Sequence, residues 1–151
     1  MLRFRLLLDA RTFPIGKYAF CYCENLTSVT IPNSVTKSED FVFSSCSSLT
    51  SVTIPDSVTK IGKYAFQSCS SLTRVTIPDS VNTIGIDAFY NCKNLTSVYC
   101  KAIIPPSLDN IGVFFDNASG RKIYVPTEAV DVYKAATYWS EYRSYIVGYD
   151  F

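Results

Sequence analysis

The sequence contains no histidine among its 151 residues. Without imidazole, no Ser-His or Cys-His nucleophile pair can form, and no metal site can use histidine ligands. Charged residues are also scarce, at 18% of the chain, and 14 Lys and Arg nearly balance 13 Asp and Glu. A net charge of +1 gives no electrostatic attraction for nucleic acid or for an anionic membrane. We therefore expect neither an enzyme nor a nucleic-acid-binding protein.

Long apolar runs are missing as well. No run of ~18 apolar residues occurs, so the sequence predicts no membrane span. The apolar stretch from Leu6 to Leu8 is stopped by Asp9, whereas the apolar region of a signal peptide has roughly 7–15 residues. We expect no signal peptide in this chain, although a trimmed exported protein would look the same. The 48% of hydrophobic residues is enough for one buried core.

A 23-residue repeat organises the chain. The segment IPNSV begins at Ile31, and IPDSV begins at Ile54 and again at Ile77. The aligned units are IPNSVTKSEDFVFSSCSSLTSVT, IPDSVTKIGKYAFQSCSSLTRVT and IPDSVNTIGIDAFYNCKNLTSVY. Residues 8–30 fit the second half of the same pattern. Self-similarity at a fixed period is the signature of a repeat architecture.

Each repeat predicts one strand followed by turns. In LTSVTIP, Val52 and Ile54 alternate with hydroxyl residues, which gives a strand with one apolar face. Pro55 ends this strand because proline cannot donate to a continuing ladder. The apolar spacing over residues 58–66 predicts a tight turn and a short helical piece. We expect Gly62 to supply a backbone angle that other residues resist.

Stacking of the repeats predicts a solenoid. One unit cannot bury its apolar face alone, but stacked units can, because their strands pair in parallel and equivalent side chains form columns. The expected fold is an α/β repeat: a short solenoid of about four to five coils, with parallel strands and short helical or turn segments. It spans residues 1–106, with a half coil at 1–7 and repeats at about 8–30, 31–53, 54–76 and 77–99.

After residue 99 the pattern decays. Ile111-Gly112 and Phe114-Phe115 still match the Ile-Gly and Ala-Phe positions of the repeat. Residues 107–151 are predicted to be a degenerate repeat followed by a strand-helix cap at the C-terminus. The cap is expected to begin with a last strand from Lys122 to Val125, with Thr127 as helix N-cap. The residues expected to seal the last coil are Val130, Val132, Tyr133, Ala136, Trp139, Tyr142, Tyr145 and Ile146.

The repeat unit carries a family resemblance. The pattern I-P-x-S-V-x-x-I-G-x-x-A-F-x-x-C-x-x-L-T-x-V-x, over roughly residues 8–100, resembles the leucine-rich repeat of the BspA-like type. The tail from Lys122 to Phe151 resembles the segment that often closes such proteins. The resemblance implies a non-enzymatic bacterial protein, secreted or at the cell surface, without cofactor. Its implied role is adhesion, with a host extracellular-matrix protein, a bacterial surface protein or a glycan as partner.

Four cysteines recur at the repeat period. Cys23, Cys46, Cys69 and Cys92 are each 23 residues apart, so neighbouring Cα atoms would lie ~5 Å apart, within the range of a disulfide. A metal site is the other possibility. Zinc, however, requires four ligands that converge on a tetrahedron, and a column places its sulfurs along a line. We expect reduced thiols that fill the core, with no disulfide and no metal.

Two exposed columns are candidate binding sites. The outward strand positions read Ser28, Ser51, Arg74, Ser97 and Thr30, Thr53, Thr76, Tyr99. Arg74 and Tyr99 interrupt the small hydroxyl residues, which predicts either a contact hot spot or ordinary surface variation. The second column reads Tyr18, Phe41, Tyr64 and Asp87. Its aromatic residues predict either a ridge that binds sugars or proteins, or a cover for the core.

Two further features lie in the first half of the chain. Ser38, Glu39 and Val42 replace the Ile, Gly and Ala of neighbouring units, and loss of the buried Ile alone should cost roughly 1.5–3 kcal/mol. This unit is expected to be a decayed repeat or, alternatively, a functional loop. At the N-terminus, Leu6 aligns with Val29, so the first strand is expected to have an uncovered edge. That edge suggests a fragment of a longer array, or a spacer that self-associates there as a homodimer.

Overall fold

Parallel strands from successive coils form the main face of the molecule, which we call the strand face. The computed structural model describes the backbone of residues 4–7 and all atoms of residues 15–151. The strands of this face are β1 (Phe4–Leu7), β2 (Leu26–Thr30), β4 (Ser51–Thr53), β6 (Arg74–Ile77), β8 (Ser97–Cys100), β10 (Lys122–Pro126) and β11 (Ile146–Tyr149). They divide into two sheets, ordered β1-β2-β4 and β11-β10-β8-β6.

The register of the strands follows the repeat. Val29 lies opposite Val52, and Val75 lies opposite Val98, so each step is one 23-residue unit. All of these pairs are parallel. The predicted repeat fold with stacked parallel strands is therefore confirmed. The backbone of β1 also pairs with β2 in the predicted alignment, with Leu6 opposite Val29; the side chains of β1 lie outside the described residues.

A second parallel sheet runs through the coils. Its two-residue strands are β3 (Lys37–Ser38), β5 (Lys60–Ile61), β7 (Thr83–Ile84) and β9 (Ser107–Leu108). Turns follow each strand where the sequence predicted a short helical piece. Among the described residues, helices occur only after residue 110: α1 (Val130–Ala135) and the 3-10 segments Ile111–Phe114, Thr127–Ala129 and Trp139–Tyr142. None of these helices is long and apolar enough to span a membrane.

Gly62 is required by close packing between coils, not by an unusual backbone angle. No glycine in the described part of the chain has a positive φ. A Cβ atom on Gly62 would lie 2.5 Å from the carbonyl carbon of Glu39 in the preceding coil. A Cβ atom on Gly85 would lie 2.6 Å from the backbone nitrogen of Lys63. The prediction for Gly62 was therefore wrong in its reason, because only glycine lets successive backbones approach so closely.

The serines of the second and third IPxSV motifs hold neighbouring coils together. The Ser57 hydroxyl donates a 2.7 Å hydrogen bond to the carbonyl of Val35, and Ser80 donates one of 2.8 Å to Val58. The threonines of the LT pairs act in the same way, since Thr50 Oγ1 donates to the Thr27 carbonyl at 2.9 Å. The Thr27 carbonyl also accepts from the backbone N–H of Thr50 at 2.9 Å, so the threonine hydroxyl adds a second hydrogen bond between the same two coils.

A column of stacked phenylalanines forms the centre of the core. The rings of Phe20, Phe43, Phe66, Phe89 and Phe114 stack with centroid distances of 5.4, 5.5, 5.3 and 5.6 Å. Phe114 therefore occupies the phenylalanine position of a further coil and Val113 the alanine position, so the predicted match of Phe114-Phe115 to Ala-Phe is wrong by one residue. The predicted Ile111-Gly112 match is wrong, because Leu108 lies opposite Ile84 and takes the isoleucine position.

Three buried aromatic residues attach the cap to the last coil. Trp139 Nε1 donates to the carbonyl of Pro106 at 2.8 Å, and Tyr133 Oη donates to that of Ala102 at 2.9 Å. The Tyr142 hydroxyl donates to the carbonyl of Ile111. Ile146 is also buried, and Val130, Ala136 and Tyr145 pack against the core. These residues form the seal that the sequence predicted.

Three details of the cap differ from the prediction. The strand that starts at Lys122 is not the last one, because β11 pairs with β10 in parallel. Thr127 is not the helix N-cap: Ala129 precedes α1, and the Thr127 hydroxyl donates to Asp150 at 2.7 Å. Val132 points to solvent and takes no part in the seal.

Candidate binding surface

The strand face is interrupted between β4 and β6. Neighbouring strands elsewhere on this face are joined by hydrogen-bonded ladders, but β4 and β6 belong to separate sheets. An open groove of about 720 Å³ lies along these two strands. Its lining is mostly hydroxyl and charged side chains: Thr30, Ser51, Thr53, Asp56, Thr73, Arg74, Thr76 and Lys101. Four hydroxyl residues of the predicted outward column therefore line this groove: Thr30, Ser51, Thr53 and Thr76.

Arg74 and Tyr99 meet beside this groove. The guanidinium carbon of Arg74 lies 5.1 Å from the centre of the Tyr99 ring. Arg74 lies opposite Ser97, and Tyr99 follows Ser97 by two residues on the same strand. The side chains of Arg74 and Tyr99 therefore lie on the same face of the sheet. At this distance a guanidinium is attracted to the ring's π electrons. The structure thus brings together the two residues that the sequence singled out on the strands.

Three aromatic residues that the repeat pattern did not reveal join this pair. The Tyr124 ring stacks on Tyr99 at 4.6 Å, and Tyr149 packs edge-on against both, at 5.4 Å from Tyr99 and 5.6 Å from Tyr124. Phe151 lies 5.0 Å from Tyr149. We call Tyr99, Tyr124, Tyr149 and Phe151 the aromatic cluster. Tyr149 and Phe151 are 43% and 53% exposed, so the cluster presents apolar surface to solvent.

The aromatic cluster and the groove form one continuous surface. Lys101 lines the groove and also a cleft of about 350 Å³ that Tyr149 and Phe151 line on its other side. Exposed Ile103 lines the same cleft. The surface thus combines a polar groove, two cations, an apolar end and the carboxylates of Asp56, Glu128 and Asp150.

The aromatic residues of the second predicted column also contact one another. The ring of Phe41 stacks between Tyr18, at 4.7 Å, and Tyr64, at 4.6 Å. All three residues have left-handed backbone angles, with φ of 61°, 57° and 56°, as does Asp87 with 51°. Such angles are uncommon outside glycine, and they recur here at the repeat period, also at Ser45 and Ser68. Tyr18 is exposed while its two neighbours are half-buried, so the column both covers the core and forms a ridge.

A charged pair lies next to this ridge. Lys17 Nζ lies 3.2 Å from Asp40 Oδ2, and the backbone N–H of Lys63 donates to Asp40 Oδ1 at 2.9 Å. Partial burial tends to raise the pKa of Asp40, but the hydrogen bond from Lys63 and the charge of Lys17 outweigh it and lower the pKa overall. No ring contact joins this ridge to the aromatic cluster within residues 15–151.

Three of the four thiols in the cysteine column are buried and hydrogen-bonded, and the fourth, Cys23, is half-buried. The thiols of Cys46, Cys69 and Cys92 donate to the carbonyls of Phe20, Phe43 and Phe66 at 3.1, 3.2 and 3.1 Å. Burial raises the pKa of Cys46 and Cys92 to about 12. A thiol with so high a pKa is a poor nucleophile at neutral pH, because the reactive form is the thiolate. All six cysteines are free in the structure, and within its described part no cluster of His, Cys, Asp and Glu could hold a metal ion.

The comparisons with known proteins agree with this architecture. No curated protein matches the sequence significantly. A leucine-rich repeat protein of T. pallidum has a similar structure, with 26% identity, a TM-score of 0.71 and coverage of 82% of this chain and 58% of its own. A leucine-rich cell surface protein of Faecalibacterium prausnitzii is similar in fold, with 23% identity, a TM-score of 0.69 and coverage of 80% and 31%.

A third similar fold is a leucine-rich repeat protein of Bacteroides ovatus, with 22% identity, a TM-score of 0.58 and coverage of 80% and 39%. The chain thus spans less than two thirds of the length of each of these proteins. The BspA type leucine-rich repeat region matches in six copies over residues 13–142. The match extends past residue 100, where the sequence pattern decays. The phenylalanine column also continues past this point, to Phe114. The chain therefore belongs to the BspA-type leucine-rich repeat family.

Proposed function

We propose that this chain is a binding module that recognises a protein ligand through the strand face, from the groove to the aromatic cluster. The observation that carries the proposal is the partly exposed cluster of four aromatic rings with the Arg74 guanidinium over one of them. Aromatic residues and arginine are enriched at the centres of protein interfaces. The hydroxyl-lined groove supplies hydrogen-bonding groups around that apolar centre.

The rigid scaffold favours such a role. Tyr99 and Tyr124 project from paired strands whose inward residues, Val98 and Ile123, are fully buried. Side chains held in this way lose little further freedom when a ligand binds, which improves affinity. In this proposal the module acts by contact alone and performs no chemistry.

We place the module outside the cell, secreted or on a bacterial surface. The support is family membership and the similarity in fold to a protein described as a cell surface protein. The partners in this proposal are a host extracellular-matrix protein or a surface protein of another bacterium, with a glycan as the other class. A glycan would stack its sugar rings on the same aromatic residues.

A binding screen tests the proposal. The purified chain is measured against immobilised extracellular-matrix proteins, bacterial surface proteins and a glycan panel. We expect saturable binding to a protein, weakened at least tenfold in the double variant Arg74→Ala/Tyr99→Ala because hot-spot residues contribute about 2 kcal/mol or more. The matched control is Tyr22→Ser, which removes an exposed tyrosine and installs the residue found at the equivalent Ser45 and Ser68.

The remaining outcomes separate the alternatives. Binding that survives in Arg74→Ala/Tyr99→Ala but is lost in Tyr64→Asp places the site on the Tyr18–Phe41–Tyr64 ridge; Asp is the residue at the equivalent position 87. Binding only to glycans changes the ligand class. No binding at all, with a dimer detected by light scattering, favours a spacer that self-associates through β1.

A further inference from the structure

A buried arginine on the cap side of the molecule has no polar partner. Arg121 immediately precedes β10 and is only 7% exposed. Its Nε atom is buried without a hydrogen bond, and the ion pairs of the described residues, Lys17–Asp40 and Lys37–Glu39, do not include it. Its guanidinium lies 4.2 Å from the centre of the Tyr145 ring and 5.5 Å from that of Tyr142. Burying a charge without an anionic partner is costly, so this residue calls for a reason.

Arg121 lines a pocket that also contains an unpaired acceptor. The pocket has a volume of about 430 Å³. Asn117 Oδ1 in its wall is buried without a partner, although Asn117 Nδ2 is fixed by a 2.8 Å hydrogen bond to the Phe89 carbonyl. Tyr142 is not available to a ligand, because its hydroxyl donates to Ile111 and accepts from the backbone N–H of Phe114. Two buried polar atoms beside this pocket, one donor and one acceptor, therefore have no hydrogen-bond partner.

Two carboxylates complete the pocket without neutralising the arginine. Asp116 and Glu141 line it together with Arg121. Neither lies within 4 Å of the guanidinium, since no such ion pair exists in residues 15–151. The Arg121 guanidinium and the two carboxylates thus line one cavity but form no ion pair with each other. A ligand with one negative and one positive group would pair with both at once, and such charge-assisted hydrogen bonds are the strong ones.

We propose that this pocket binds a small zwitterion, an α-amino acid with an apolar side chain. Its carboxylate pairs with Arg121, and its ammonium group lies between Glu141 and Asp116, whose carboxylate also accepts a hydrogen bond from the Tyr90 hydroxyl. Phe115, which is exposed and lines the same pocket, provides an apolar wall for the side chain. The site is preorganised, because rings hold the guanidinium and the backbone N–H of Arg121 donates to Ala118 at 3.0 Å. This site is separate from the strand-face proposal and does not rest on it.

Calorimetric titration of the whole chain with three matched probes tests the proposal. Leucine carries both charges, leucinamide lacks the carboxylate and N-acetylleucine lacks the ammonium group. We expect leucine to bind and each of the other two to bind at least tenfold more weakly, because each loses a charge-assisted hydrogen bond. The dipeptide leucylleucine measures the span between the charges: we expect it to bind more weakly than leucine.

Variants connect the binding to the pocket. Arg121→Gln should abolish leucine binding, whereas Arg143→Gln, an equal change of charge at an exposed residue, should leave it unchanged. If Arg121→Gln fails to fold by circular dichroism, Glu141→Gln replaces it, and should weaken leucine while leaving N-acetylleucine unchanged. Equal binding of the three probes, leucine binding that persists in folded Arg121→Gln, or no binding of leucine at its solubility limit would each overturn the proposal.

Discussion

At the scale of single residues, Ser38 shows how one substitution weakens a repeat. It lies opposite Ile61 in the second sheet and is 7% exposed, and its hydroxyl has no hydrogen-bond partner. A small cavity lies between it and Ile31, Val35 and Phe43. An unpaired hydroxyl therefore occupies the place where neighbouring coils bury an isoleucine.

The substitution Ser38→Ile should stabilise the protein. Filling the isoleucine position and removing a buried unpaired hydroxyl should raise the free energy of unfolding by about 1–2 kcal/mol. Scanning calorimetry should then show a Tm higher by about 2–4 °C. The control is Thr36→Ile, which adds an isoleucine at an exposed position of the same coil. An unchanged Tm in Ser38→Ile would mean that this position is not part of the core.

A substitution at Gly62 should have the opposite effect and destabilise the protein. An added Cβ would lie 2.5 Å and 2.6 Å from the carbonyl carbon and oxygen of Glu39, and backbone atoms cannot move aside easily. Gly62→Ala should therefore lower the free energy of unfolding by about 1–3 kcal/mol in urea denaturation. Gly120→Ala is the control, because a Cβ atom added there would have no other atom within 4 Å. Equal stability of the two variants would show that the coils can separate at no cost.

At the scale of elements, the sequence predicted the long strands well because their apolar residues alternate and recur every 23 positions. The two-residue strands of the second sheet, such as β5, are too short to show any alternation. They form through hydrogen bonds between coils, which a single unit cannot reveal. Tyr124 was missed because it follows its partner Tyr99 by 25 residues, so a search at the repeat period passes over it. Its alternation with buried Ile123 and Val125 was the available signal.

At the scale of elements, the buried cysteine column should make the stability of the protein depend on pH. Burial raises the pKa of Cys46 and Cys92 from 9.0 to about 12. Between these values the folded chain keeps protons that the unfolded chain releases. The stabilisation is thus complete below about pH 9 and is lost as the pH rises toward about 12. Urea denaturation at a series of pH values should show this fall.

A variant isolates the contribution of one thiol. Cys92→Ala should flatten the fall in stability above about pH 9, whatever its effect on the absolute stability. Cys21→Ala removes a half-buried thiol outside the column and serves as the control. A thiol titration of the denatured chain should find all six cysteines free. An unchanged slope in Cys92→Ala, or fewer than six thiols, would contradict this account of the column.

At the scale of the whole molecule, the repeats build a continuous scaffold, and departures from the repeat create the candidate sites. Where the pattern is kept, as at Thr30, Thr53 and Thr76, the strand face is uniform and polar. Where it breaks, at Arg74 and Tyr99, the face acquires charge and aromatic surface. The sequence revealed those two breaks, but Tyr149 and Phe151 reach them only because β11 extends the sheet beyond the repeats. Arg121 was not predicted, since its isolation depends on how the cap folds over the last coil.

The most direct test of the strand-face site is the dissociation constant of the variant Tyr99→Thr for the protein ligand found in the screen. Threonine is the residue that the preceding coils carry at this position, so the variant should keep the fold while the Arg74 contact and the stack on Tyr124 are lost. We predict that surface plasmon resonance will show at least tenfold weaker binding, as expected for a hot-spot residue. An unchanged dissociation constant in the folded variant would contradict the proposal that the aromatic cluster is the recognition site.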